Sequence, residues 1–510
     1  MNTEIELKLR MKPDELGRLR RHPVLRALRL ASARTQKLRN VYFDTADLAL
    51  RKKRVALRVR HIGQRRIQTL KAPSEGANGA AQHFLEWETA IKGDQPVLAQ
   101  ITDEAARDAL PITGVEDLRE AFVSDISRSV VPLVLEDSQI ELAFDTGEIA
   151  TGDRRQPVCE AELELKSGRP ARLYELALQL HEQVPFTVEY RSKAARGYDL
   201  LLDNRPQPLK AGPLELGQDL TAWQGFVAVA RHCLQHLRAN EDCARLGEDP
   251  EGVHQLRVAL RRLRAAFSVF AGVLPEEQRL HFVEELRWVQ QSLGPARDWD
   301  VFIGETLRPV LAGLPQEACL AELLAAANAA RVDAYRQVAT TLDERRYTRL
   351  QLQLDLWLES GAGPAGGEIE NPPWIEPLAS VAVRVLTARH RKVRKLAKRF
   401  AELSTAERHR LRIQAKKARY AAEFFRSLYS RKPAQKYVGR LTTMQDRLGS
   451  MNDAVVGRHL VDALAKADGN HVRANAILSG WYAARIDGDI PHAAAIARKI
   501  TKIRPFWEAD

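Results

Sequence analysis

From Glu4 to about residue 166 the chain alternates apolar with charged residues in short runs, the period-two signature of strands with two unlike faces. The first run is Glu4-Ile5-Glu6-Leu7-Lys8, with Glu4, Glu6 and Lys8 on one face and Ile5, Leu7 and Leu9 on the other. Further strands are expected at 41–45, 55–60, 66–71, 84–89, 138–145 and 159–166. Short helices are expected at about 12–22, 102–110 and 170–184. Residues 204–218 hold three prolines and two glycines and read as an interdomain linker. Beyond them the period becomes that of long amphipathic helices. A glycine- and proline-rich stretch at 360–373 divides this second half in two.

The polar face of the strands is unusual. A one-sided sheet ordinarily exposes a mixture of Thr, Ser, Lys and Gln. Here one face carries Glu4, Glu6, Lys8, Arg58, Arg60, Lys71, Glu86, Glu88, Asp145, Glu160, Glu162 and Glu164. A sheet with that face closed into a barrel encloses a charged tunnel. Carboxylates in such a tunnel suit a hard divalent cation, and Arg and Lys suit the phosphate oxygens of a linear anion.

The second half is duplicated. A shift of 155 residues carries His254-Gln255-Leu256-Arg257 onto His409-Arg410-Leu411-Arg412 and Arg261-Arg262 onto Lys416-Lys417. It also carries Arg264 onto Arg419, Leu293-Gly294 onto Leu448-Gly449, and Arg297-Asp298 onto Asn452-Asp453. His254, Arg257, Arg261 and Arg264 recur at helical spacing and form one basic stripe; His409, Arg412, Lys416 and Arg419 repeat it. The opposite stripes, Leu256, Leu260, Leu263, Phe267 and Phe270, and Leu411, Ala415, Ala418, Ala422 and Phe425, are the expected core. The segment 388–400 adds Arg391, Arg394, Lys395, Lys398 and Arg399. Arginines three residues after each histidine disfavour a metal there, because nearby cations repel one; phosphate contact is the better reading.

Composition narrows the class. The 510 residues exceed one core, so two or three domains are expected. The net charge of +12 points to a polyanionic partner and is uneven, +3 over residues 1–210 and +9 over the rest. Cys159, Cys233, Cys243 and Cys319 form no CxxC pair, which argues for reduced thiols and against zinc or disulfides. No apolar run approaches the roughly 18 residues that span a bilayer, and charges interrupt the N-terminus where a signal peptide would be apolar. A cytoplasmic location is expected.

Five features together resemble the CYTH superfamily, the triphosphate tunnel metalloenzymes: the ExExK at 4–8, Tyr42-Phe43-Asp44-Thr45, the Arg58/Arg60 pair, the ExExE at 160–164 and Ser192-Lys193-Ala194-Ala195-Arg196-Gly197-Tyr198. The resemblance covers residues 1 to about 205. It implies an eight-stranded antiparallel tunnel that hydrolyses a triphosphate with Mg²⁺ or Mn²⁺. By position it implies that Glu4, Glu6, Glu160, Glu162 and Glu164 ligate metal. Lys8, Arg58, Arg60, Lys71, Arg128 and Lys193 would grip phosphate. Asp145, Glu86 and Glu88 would complete the tunnel and order water, so that Glu4, Glu6, Lys8, Asp145, Glu86 and Glu88 form the catalytic set. The duplicated half, about 219–505 in copies of about 219–359 and 374–505, resembles the CHAD domain. That resemblance implies two pseudo-twofold-related four-helix bundles that bind long-chain inorganic polyphosphate through the two stripes.

The expected fold is therefore α+β, an antiparallel barrel at 1–205, a linker at 206–218 and an all-α domain. The expected activity is inorganic triphosphatase, with tripolyphosphate as substrate. The rivals are thiamine or nucleoside triphosphate hydrolysis, ATP cyclisation, or a non-catalytic polyphosphate scaffold. No aromatic platform for a base is evident among the tunnel residues, and the intact acidic set argues against a degenerate tunnel. Nucleic-acid binding is disfavoured by the absence of interleaved aromatics.

Overall fold

The computed structural model describes residues 2–73, 81–112, 114, 115, 117–361, 372–468 and 472–508. The expected loose stretch at 360–373 falls mostly outside these residues. Two compact units divide the chain. The first comprises 1–206 together with 343–361; the second comprises 207–342 and 362–510.

The first unit is a closed antiparallel barrel. Its strands are β1 (Asn2–Arg10), β2 (Arg34–Thr45), β3 (Ala56–Ile62), β4 (Arg65–Pro73), β5 (Gln82–Ile91), β6 (Leu118–Leu135), β7 (Ser138–Thr151) and β8 (Arg154–Ser167). They run in the order β5-β4-β3-β2-β6-β7-β8-β1, and β1 pairs with β5 to close the ring. Thr187–Val188 adds a short strand beside β1. The expected strands fall within these eight, except that Val55 lies just ahead of β3. The addition is β6, in which no run of alternating charge marks the pattern and Pro132 interrupts it.

Register sets the faces. Lys8 lies opposite Glu162 and Glu6 opposite Glu164 on β8, while Asp145 of β7 lies between Glu160 and Arg128. Outward-facing Leu7, Leu9, Leu142, Phe144 and Leu163 are fully or almost fully buried beneath the Ala171–His181 helix. Burying each such side chain contributes about 1.5–3 kcal/mol.

Leu352, on the helix Arg345–Ser360, belongs to that same cluster. Arg345 donates to the carbonyl of His181, and Nε2 of His181 lies 3.1 Å from the carbonyl of Arg345. The sequence pattern places 343–359 with the first helical copy; the structure places it with the barrel. Amphipathic periodicity reports that a face is buried and carries no information about which body buries it.

In the second unit five helices of each copy start within a residue of the 155-residue shift. They are Ala222–Arg238 and Leu378–Lys398, Pro250–Val269 and Thr405–Phe425, Glu276–Ser292 and Arg431–Arg447, Gly294–Val301 and Gly449–Asp468, and Ala318–Asp343 and Val472–Thr501. Five helices thus correspond between the copies. Both predicted apolar stripes are buried. Residues 207–218 do not hang free. Leu209 exchanges hydrogen bonds with the Asn240 side chain, both at 2.9 Å, and the Leu216 amide donates to Ser427 Oγ at 2.9 Å. Among the described residues no helix is long and apolar enough to cross a membrane.

Candidate active site in the barrel and basic groove in the helical unit

The barrel interior is built by alternation on the eight strands and by one helix. Ser192 caps the helix Lys193–Leu201 by accepting from the Ala195 amide at 3.1 Å. Lys193 and Arg196, three residues apart, then share the face turned into the barrel. Gly197 permits this approach. A Cβ there would stand 2.1 Å from the Phe122 ring. Phe122 stacks on Tyr42 with centroids 4.5 Å apart and meets Tyr198 edge-on at 5.0 Å, in an apolar cluster with Leu38, Ile126, Ile149 and Val158.

Lys193 is the hub of the charged interior. Its Nζ lies 2.7 Å from Asp145, 2.5 Å from Glu160 and 2.8 Å from Glu162. Arg128 forks onto both Asp145 oxygens at 2.8 and 2.6 Å and also reaches Glu162. Arg196, absent from the predicted set, donates to Glu160 at 2.7 Å. Its signal lay in the motif around Lys193, one helical turn away. Burial by itself would raise the carboxyl pKa values of Asp145 and Glu162. Lys193 and Arg128 outweigh it and hold Asp145 below, and Glu162 well below, the ordinary carboxylate range. Burial likewise opposes the Lys193 ammonium, but Asp145, Glu160 and Glu162 drive its pKa upward.

The other predicted residues line the same face in cation–carboxylate pairs. Lys71 binds Glu4 and stands 3.6 Å from Glu86; Lys8 binds Glu6 and donates to Gln82 at 2.8 Å. Arg58 donates to Glu86 at 3.3 Å, and Arg60 to Glu88 at 3.4 Å and to Asn40 at 3.1 Å. Glu164 pairs with Lys166 at 2.5 Å, and burial raises its pKa. Side-chain exposure along β8 falls from 22% at Glu164 to 8% at Glu162 and 0% at Glu160.

The donor set is one a divalent cation could use, in the place that the Lys193 ammonium holds against all three carboxylates. Asp145, Glu160 and Glu162 each offer an oxygen within 4.8 Å of the others, and all three are buried. Of the five predicted ligands, Glu160 and Glu162 belong to this group, and Asp145 joins them. Glu4, Glu6 and Glu164 lie elsewhere on the interior face, each on its own lysine. Oxygen donors alone suit magnesium, manganese or calcium better than zinc.

The two basic stripes of the helical unit meet. Nε of Arg261 lies 3.4 Å from the Tyr420 hydroxyl on the other copy. Arg257 and Arg264 both donate to Gln290, at its carbonyl (2.8 Å) and its side chain (2.7 Å). Arg419 reaches Gln445, the shifted counterpart of Gln290, at 3.3 Å. Asp298 and Asp453, also counterparts, are raised by burial and face Arg257 and Arg412 respectively. Burial and Arg297 push His254 down to about 4, whereas His409 is exposed. The prediction did not include Gln290, Gln445, Arg297, Asp298 and Asp453 in the site, although the shift aligned the last three with their counterparts. All four cysteines are free.

Comparisons with known proteins find two families in this chain, and the second match includes the 343–361 segment that clusters with the barrel. The CYTH domain family model matches residues 2–198 and the CHAD domain model matches 228–462. An inorganic triphosphatase of Haemophilus influenzae is 30% identical over 198 residues, 39% of this chain and 55% of that protein. The match thus spans about half the length of that relative. An uncharacterized protein of Mycobacterium tuberculosis is 26% identical over 483 residues, 86% of this chain and 85% of its own. Among solved structures, the CHAD domain of the plant Ricinus communis is 31% identical, with a TM-score of 0.51, covering 58% of this chain and 98% of that one.

Proposed function

We propose that this chain, which carries a CYTH domain followed by a CHAD domain, is a metal-dependent inorganic triphosphatase that also holds long-chain polyphosphate. The observation that carries the first part is the buried trio Asp145, Glu160 and Glu162 beside Lys8, Arg128 and Lys193 inside a closed barrel. The similarity to a triphosphatase supports the same reading.

Phosphoryl transfer to water asks the protein mainly for positioning and charge neutralisation. Lys8, Arg58, Arg60 and Lys71 line the interior and would hold the oxygens of a tripolyphosphate by charge-assisted hydrogen bonds. Each is paired with a carboxylate, so a phosphate oxygen competes for a cation already in place. Asp145, Glu160 and Glu162 would hold Mg²⁺ or Mn²⁺, with Glu4, Glu6 and Glu164 as the further acidic set. A bound divalent ion supplies charge for the phosphate oxygens and acidifies a bound water. Arg196 holds Glu160, one of the carboxylates that would take the ion, and Lys193 Nζ would give way to it. The products would be diphosphate and phosphate.

The groove of the helical unit, with Arg257, Arg261, Arg264, Arg412, Lys416 and Arg419 around one seam, supports polyphosphate as its ligand. His254 and His409 would contribute hydrogen bonds to phosphate. We place the chain in the cytoplasm, near polyphosphate stores. Phosphate release from tripolyphosphate, thiamine triphosphate and ATP, each with Mg²⁺ and with Mn²⁺, tests the activity. Metal-dependent turnover of tripolyphosphate is expected to exceed the others. No turnover of any triphosphate, with polyphosphate still bound, would leave the scaffold reading standing.

A further inference from the structure

We propose that anion binding in the groove between the two helical copies is coupled to uptake of one proton at Nζ of Lys416. The proposal rests on the reading of that groove as a polyanion site and adds a regulatory property to it.

Lys416 occupies the point where the copies differ most consequentially. The 155-residue shift makes it the counterpart of Arg261, whose guanidinium is permanently charged. A lysine amine in the same setting can lose its proton. The groups around it are cationic. Arg412 and Arg419 lie one turn before and one turn after it on the Thr405–Phe425 helix. Arg261, on Pro250–Val269, reaches the Tyr420 hydroxyl one turn from Lys416 at 3.4 Å, and Arg257 lies one turn before Arg261 on that helix. Of the carboxylates nearby, Glu423 pairs with Arg419 at 2.6 Å, and burial raises the pKa values of Asp453 and Asp298, which disfavours their charged forms. The Arg431–Arg447 helix presents the neutral Gln445, held by Arg419. The Leu378–Lys398 helix contributes Arg389, which donates to the Lys417 carbonyl at 2.6 Å. Among the described residues no carboxylate forms an ion pair with Lys416.

Burial and then these four arginines push the Lys416 amine down to about 7. The empty groove above that pH is therefore one charge short of its sequence count. A phosphate chain laid along the seam supplies the missing negative charge and returns the amine to its ammonium form. The sign follows. Affinity is flat where Lys416 is already protonated, and falls by up to tenfold per pH unit above about 7 until the bound-state pKa is reached. His254 is neutral throughout this window and does not compensate.

The test is calorimetry of the full chain with long-chain sodium polyphosphate at about pH 8, in two buffers of different ionisation enthalpy. Wild type is expected to take up close to one proton per site. K416R, charged at every working pH, is expected to bind with that uptake abolished. Equal uptake by wild type and K416R would overturn the proposal, as would no uptake by wild type. Absence of any binding would instead sink the groove reading and this proposal with it. A second measurement needs no ligand: in a titration followed by ¹³Cε resonances of lysine, one signal is expected to move near pH 7 and to vanish in K416R. If every lysine titrates at its ordinary value of about 10.4, the proposal fails.

Discussion

Phe270 and Phe425 face each other with ring centroids 5.8 Å apart, and the 155-residue shift carries one onto the other. At a twofold axis a residue touches its own counterpart, and this contact is of that kind. The duplication is thus a spatial relation as well as a sequence one, and its pseudo-axis runs beside the Pro250–Val269 and Thr405–Phe425 helices. Those helices carry the basic stripes. An axis between them brings both stripes to one seam, which neither copy forms alone.

Glu162→Gln should abolish metal-dependent hydrolysis while leaving the barrel folded. Glu162 receives both Lys193 and Arg128 and belongs to the carboxylate trio, so the amide keeps the shape and removes a charged ligand. A loss of about a hundredfold or more in kcat is expected, about 2.7 kcal/mol of transition-state stabilisation. Glu4→Gln and Glu6→Gln should lower turnover as well. Phosphate-release kinetics on folded variants, checked by circular dichroism, decide it; near wild-type turnover of Glu162→Gln would remove the trio from the mechanism.

Acid should unfold the barrel unit early. Asp145 and Glu162 have folded-state pKa values below their unfolded ones. The stability they contribute is therefore fully present above the unfolded values of about 4 and is lost as pH falls below them. Thermal melts between about pH 7 and pH 3 should show this loss, and it should shrink in Lys193→Met, which takes away one of the two cations they share and leaves Arg128. An undiminished pH dependence in that variant would contradict the assignment.

Gly197→Ala offers a sign test of the packing beneath the tunnel. In an open helix, alanine is more stable than glycine by about 1 kcal/mol. Here the new methyl would meet Phe122, which is itself packed between Tyr42 and Tyr198. Overpacking of that kind costs about 1–3 kcal/mol, so the variant should melt lower. Displacing the helix also moves Lys193 and Arg196, and KM for tripolyphosphate should rise. A higher melting temperature with unchanged KM would show that the helix does not depend on this close approach.

The strands were legible because charge alternation leaves a period-two trace, and the interior residues were legible because alternation places them on one face. β6 left no such trace. Its inward positions include Ser124, Ile126 and Arg128, which share no chemistry. Arg196 and Gly197 matter only through contacts with Glu160 and Phe122, which lie 36 and 75 positions back in the chain. The helix Arg345–Ser360 reads as one more amphipathic helix, and Leu352 joins the barrel cluster through folding that periodicity does not encode. One practical consequence concerns dissection. A fragment beginning at residue 219 would carry that helix without its partner, so binding tests belong on the full chain.

Arg58→Ala and Arg257→Ala/Arg261→Ala/Arg264→Ala should separate the two sites on that full chain. Arg58 lies in the barrel against Glu86, so its loss should raise KM and lower kcat for tripolyphosphate and leave long-chain binding in place. The triple variant, and its counterpart Arg412→Ala/Lys416→Ala/Arg419→Ala, should weaken long polyphosphate far more than tripolyphosphate, because a short anion cannot engage both stripes at once. Combining the triples should weaken binding beyond either alone, since linked contacts share an effective concentration. Affinity should also fall with salt as counterions are released, and less steeply in each triple variant. Titration of fluorescent polyphosphate of several lengths at several salt concentrations reads all of these. The seam at Phe270 and Phe425 makes the expectation specific: if one triple removes nothing, or if short and long chains lose equally, the two stripes act as separate surfaces in spite of the axis between them.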